Sequence, residues 1–367
     1  VSGLPFRSHA ATDSFIPARQ TADDESGGWH LLSGESVEAV LRKVFVNRED
    51  ELRSGWRLAA FVVCLYVLIL LISAIAGLAA VLVPSLRSII EPPPGGEHPG
   101  RAIVQFIVQS AVSLSSAIVA TWICARALEH RSLGSVGFKL NRGWWRLFVV
   151  GSLLGAGTLG LAIAAEAATG GVAFRPQGHR PGQLVSSFVS LFLAFLMAAA
   201  FEELAFRGFA FQALVHNTGP VVAVLVMSVV FGLAHLGNPN PTLISTTNTI
   251  LAGIWLSVAY LVTRNLWLST ALHYSWNLGM VYLFGLPVSG ISTFDSLGLL
   301  AGQDKPPVWI SGGDYGPEGG LAASVVLIVS TLFIWRSGWF KVSAEMAEAI
   351  KHGTPEPRYI SIVDTNE

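Results

Sequence analysis

Charge is scarce in this chain. Asp, Glu, Lys and Arg make up 13% of its 367 residues, about half the share of a water-soluble domain, while 52% are hydrophobic. That balance excludes a soluble globular enzyme and implies an all-α protein crossing a membrane several times. A net charge of −1 leaves no basic surface for nucleic acid. Cysteine is nearly absent too. Cys64 and Cys124 both sit in apolar runs and read as small buried side chains, which excludes a disulfide or cysteine–metal framework. Internal repeats, sustained heptads and a His-Glu-x-x-His motif are all lacking.

Five regions follow from composition. Residues 1–35 are polar and aperiodic, a disordered cytosolic tail. Residues 36–55 form an amphipathic helix on the membrane surface, with Val37, Val40, Leu41, Val44 and Phe45 opposite Glu38, Arg42 and Lys43. Two spans and a cytosolic loop fill 56–144, the membrane core takes 145–340, and 341–367 is a cytosolic tail. Eight spans are expected: 56–83, 102–128, 145–168, 183–216, 220–236, 243–262, 266–286 and 321–340. The fourth is too long, roughly 50 Å against a core of ~30 Å. Basic residues gather before the first span, between the second and third, and after the eighth. By the positive-inside rule the protein is multi-pass in the plasma (inner) membrane with both termini cytosolic. Trp56, Trp144, Trp145, Trp267, Trp335 and Trp339 fall near the expected interfaces. Residues 287–319, rich in Gly, Pro and Ser, read as tight turns, with Glu318 a minor functional candidate.

Ionisable groups inside the apolar spans stand out because burial there is costly. Glu202 and Glu203 follow an uncharged run, and Arg207 lies four residues after Glu203, on the same helical face. Glu202 points about a hundred degrees away and needs a partner on another helix. His235 closes the segment that Phe231 opens on the fifth span. His273 and Asn277 share a face of the seventh. The turn at Thr218 lies sixteen residues after Glu202 and seventeen before His235, so an antiparallel hairpin sets both about 24–26 Å from its tip. His273, counted from Leu266, lies only about 10 Å deep, which requires the hairpin to protrude about 15 Å into the cytosol. A carboxylate, two imidazoles and a carboxamide then converge in a conical polar cavity in the inner half of the bilayer. A carboxylate beside a neutral histidine can deprotonate water, and a second histidine with an asparagine can stabilise an oxyanion.

In this order Glu202-Glu203…Arg207, Phe231…His235 and His273…Asn277 resemble the CPBP family of intramembrane proteases, which includes CAAX prenyl endopeptidases and bacteriocin-processing or immunity proteins of the Abi type. The resemblance covers about 145–340. It implies Glu202 and His235 as water activators and His273 with Asn277 at the oxyanion, Glu203, Arg207 and Phe231 supporting them. The expected activity is endopeptidase cleavage of membrane-associated or lipidated proteins, with that substrate and the lipid bilayer as partners. A divalent metal, zinc, is the one cofactor in question: Glu202, His235 and His273 would make three ligands with one position open, though no carboxylate is evident to orient either histidine. Two other functions use similar parts. A non-catalytic immunity or partner protein could lose Glu202, His235, His273 and Asn277 freely. A proton-coupled transporter would more naturally carry repeated broken helices, and only 237–241 has that look.

Overall fold

The computed structural model describes residues 42–47, 52–83 and 99–351. The expected tail at 1–35, residues 352–367 of the expected tail at 341–367, and most of the expected surface helix lie outside the described residues. Contacts divide the chain into Val1–Phe45 and Val46–Glu367. Within the first unit, 42–45 are helical. The helix does not continue to 55 as expected. Val46 pairs with Leu52 in an isolated bridge, Arg53 is extended, and its Nε donates to the Val46 carbonyl at 3.1 Å.

The remainder is an all-α bundle. Its elements are α1 Ser54–Leu82, α2 Pro99–Leu128, α3 Trp144–Ala168, α4 Pro181–Arg207, α5 Phe209–Thr218, α6 Pro220–Ala234, α7 Leu243–Thr263, α8 Leu266–Leu278, α9 Leu321–Arg336 and α10 Ala344–Lys351. Six stretches among the described residues are long and apolar enough to cross a membrane, with α4 and α5 counted as one. The protein is therefore a multi-pass membrane protein. The seventh and eighth expected spans are shorter helices: α8 has 13 residues and α9 has 16. The fourth is interrupted. A Cβ at Gly208 would come 2.1 Å from the Leu204 carbonyl oxygen, so only glycine fits the break between α4 and α5.

α8 carries much of the site, and its neighbours hold it at close range. Almost every residue from Leu266 to Trp276 is buried. On α3, a Cβ at Gly151 would lie 2.7 Å from the Ala271 Cβ, and one at Gly155 would lie 2.5 Å from the Leu272 carbonyl oxygen. Small residues allow this approach between membrane helices, where dispersion contacts rather than hydrophobic exclusion drive association. Gly232 of α6 meets Ile250 of α7 in the same way, and Gly253 of α7 meets Ser228 of α6. The start of α8 is recessed: Leu266 is fully buried and its amide donates to the Gly137 carbonyl at 3.0 Å. Trp267 accordingly packs among Phe138, Trp144 and Phe148.

At the other end of α8 sits a cap that hydropathy does not reveal. After Leu278 the helix widens into a π-helical turn, Gly279–Leu283. Strand β1, Val172–Pro176, pairs antiparallel with β2, Leu300–Asp304, with Val172 opposite Asp304 and Pro176 opposite Leu300. The stretch expected as turns alone thus contains a strand and a helical turn, Val308–Ser311. The expected C-terminal tail also begins with structure. Ser343 Oγ accepts from Asn141 Nδ2 at 2.8 Å, Glu345 Oε2 accepts from the Arg142 amide at 3.0 Å, and Met346 of α10 is fully buried.

Candidate active site

The break at Gly208 ends α4 immediately after Arg207, so Glu202, Glu203 and Arg207 occupy the last two turns of that helix. Glu203 and Arg207 are almost completely buried and form the i,i+4 pair, Nη1 to Oε1 at 3.2 Å. Arg207 also reaches across to α7. Its Nη2 donates to the Gly253 carbonyl at 3.1 Å and its Nε approaches Ser257 Oγ at 3.5 Å. Its guanidinium lies over the Phe231 ring, 4.4 Å from the centroid. That cation–π contact partly replaces the hydration the charge has lost. Phe231 also touches both histidine rings, His235 at 4.6 Å and His273 at 6.1 Å between centroids.

Glu203 has a second role that helical spacing does not reveal. Its Oε1 takes a hydrogen bond from His273 Nδ1 at 3.0 Å. His235, at the end of α6, directs Nδ1 to the Phe231 carbonyl oxygen at 2.7 Å. A carbonyl and an ion-paired carboxylate only accept, so both rings carry a proton on Nδ1. Each then turns Nε2 toward Glu202. Both Nε2 atoms lie 3.8 Å from Glu202 Oε2, an atom that is itself buried and has no hydrogen-bond partner among the described residues. That separation is too long for a direct hydrogen bond. Glu202 is a quarter exposed, so the point of convergence is reachable.

The structure therefore brings Glu202, Glu203, Arg207, Phe231, His235 and His273 together. Asn277 stands one turn beyond His273 on α8, half-buried, its carboxamide without a hydrogen bond to another described residue. Leu266, from which the depth of His273 is counted, is itself fully buried among protein rather than exposed at a surface. The carboxylate that was missing beside a histidine is Glu203. The donor types and their Nδ1 partners are thus those that a zinc site uses. Among the described residues no group of three or more His, Cys, Asp or Glu side chains is arranged to hold an ion. Sequence reasoning also missed Gly253 and Ser257. Nothing marks a main-chain carbonyl or a lone serine as an arginine's partner before the helices are packed. Glu318 lies apart, in the cap.

Residues 184–279 match the family model Type II CAAX prenyl endopeptidase Rce1-like. The matched segment runs from α4 to the end of α8 and contains the whole polar cluster. That match agrees with the resemblance carried by the three motifs. No curated protein and no solved structure matches the chain.

Proposed function

We propose that this multi-pass membrane protein, with its Rce1-like segment at 184–279, is an intramembrane endopeptidase whose nucleophile is a water activated between Glu202 and His235. One observation carries the reading. A partnerless carboxylate oxygen faces the unprotonated Nε2 of a histidine whose tautomer is fixed from behind, at 3.8 Å. Two groups that only accept cannot face one another in a buried site without a donor between them, and water supplies two protons.

Glu202 and neutral His235 take a proton from that water as its oxygen attacks the scissile carbonyl. The negative charge that develops on the carbonyl oxygen needs donors. Asn277 has an uncommitted carboxamide, and His273 can donate from Nε2 only as an imidazolium, because Nδ1–H is already engaged with Glu203. Glu203 is the counter-ion that makes this form affordable. With Glu202 and Glu203 anionic and Arg207 and His273 cationic, the buried cluster is neutral overall. The proton held by Glu202 and His235 then passes to the leaving amine, and peptide plus water becomes carboxylate plus amine. The chain's own residues suffice for each step, and none is routed through a metal.

The site suits substrates already in the membrane, such as lipidated protein tails. The test is substrate capture. Membranes holding the Glu202→Gln variant should accumulate precursor proteins that membranes with the wild type lack. Identical membrane proteomes would sink the reading. The favoured arrangement sets both termini on the cytosolic side, and rests on the alternation of basic residues between loops.

A further inference from the structure

We propose that Glu318, outside the polar cluster, is a positioning residue for the reaction: it fixes the capped end of α8 so that Asn277 keeps its register with His273. This rests on the endopeptidase reading. The α-helical ladder gives way just past Asn277, where Leu278 leads into the π-helical turn and then Gly285 at φ +56. A helix end of that kind holds its orientation only if something outside it does the holding. Glu318 does so with both oxygens. Oε1 accepts from the indole Nε1 of Trp276, the residue next to Asn277, at 3.1 Å. Oε2 accepts from the amide and the hydroxyl of Ser289, both at 2.7 Å. Ser289 sits at φ +49, a conformation a serine rarely adopts, and those two bonds hold it there.

The carboxylate is anchored in turn. Asn248 of α7 donates through Nδ2 to the carbonyl oxygens of Glu318 and Gly320, both at 2.8 Å. Trp276 is also fixed along its ring, which meets Trp255 edge to face at 6.0 Å. The same strap reaches the chain after His235, since a Cβ at Gly290 would fall 2.0 Å from the Pro239 carbonyl oxygen. All three groups on Glu318 are donors, so an amide in its place must turn an NH2 against at least one of them.

The experiment uses the purified full chain and a prenylated peptide ending in Cys-aliphatic-aliphatic-X. Glu318→Gln and Trp276→Phe each remove the link from one side, and each should lower kcat about ten- to a hundredfold with KM unchanged, the scale of a small misplacement of a catalytic group. Either change added to Asn277→Ala should cost nothing further. Amide exchange across 273–283 should quicken in both variants while α1 and α2 stay as they were. Additive losses, or a fall in folded protein that accounts for the whole loss, would overturn the proposal. Unchanged exchange overturns it too, whether or not the peptide is cleaved. A wild type that leaves the peptide intact counts instead against the endopeptidase reading, and the exchange measurement still decides the role of Glu318.

Discussion

Replacing Glu203 by Gln separates two jobs that the structure gives to one side chain. The amide keeps the shape and an acceptor oxygen, but it removes the charge that faces Arg207 Nη1 at 3.2 Å and His273 Nδ1 at 3.0 Å. Arg207 is 1% exposed, so water cannot take over as its counter-ion. Stranding a buried charge costs about 3–5 kcal/mol, a large share of a marginal folding free energy. The second consequence falls on chemistry. Without the Glu203 charge the imidazolium of His273 is no longer supported, and Nε2 ceases to donate. Loss of one oxyanion donor costs about 10²–10³ in kcat. Thermal unfolding of the purified protein reads the first effect and cleavage per folded molecule reads the second. Adding Arg207→Met to Glu203→Gln should recover much of the stability and none of the cleavage. Sequence spacing alone makes Glu203 a brace, for which activity would track the folded fraction. Normal cleavage by folded Glu203→Gln protein would refute the charge argument.

Two further outcomes probe the arrangement and the cap. Cysteines introduced after Lys351 and at Ser296 should label from opposite sides of the membrane, the first from the cytosol; labelling of both from one side would overturn the topology. Burial pushes the Asp295 carboxyl from 3.8 up to about 7, and its Oδ1 has no hydrogen-bond partner. The folded cap therefore favours the protonated form, and its stability should fall as pH rises from about 4 to 7. Asp295→Asn should be steadier than the wild type against proteolysis at pH 8 and no better at pH 4; equal behaviour at both would refute this.

Much of the site was legible because helical periodicity fixes which residues share a face. Glu203 with Arg207 and His273 with Asn277 both follow from four-residue spacing, and the shared level of Glu202 and His235 follows from counting along a hairpin. Contacts between helices were not legible in that way. The bond from His273 to Glu203 depends on how α8 packs against its neighbours, and Gly151 and Gly155, which admit α3 to close range, look in sequence like any small residues of a span. Hydropathy located the seventh span, which is helical from Leu266 to Leu283, but not the change from α to π geometry within it. The cap was hidden for a different reason. Five-residue strands give too few alternations to distinguish from turns, and Glu318 acquires its partners only when Trp276 and Ser289 come together.

The most direct test of the central claim is cleavage of a prenylated C-terminal peptide by purified wild-type protein and by Glu202→Gln, each normalised to folded molecules. Glu202 lies at the point of convergence, with its Oε2 buried and partnerless, so the amide should leave the fold near wild type while removing the group that takes the proton. The account predicts cleavage by the wild type and none above background by the variant. Cleavage by Glu202→Gln at the wild-type rate would contradict it.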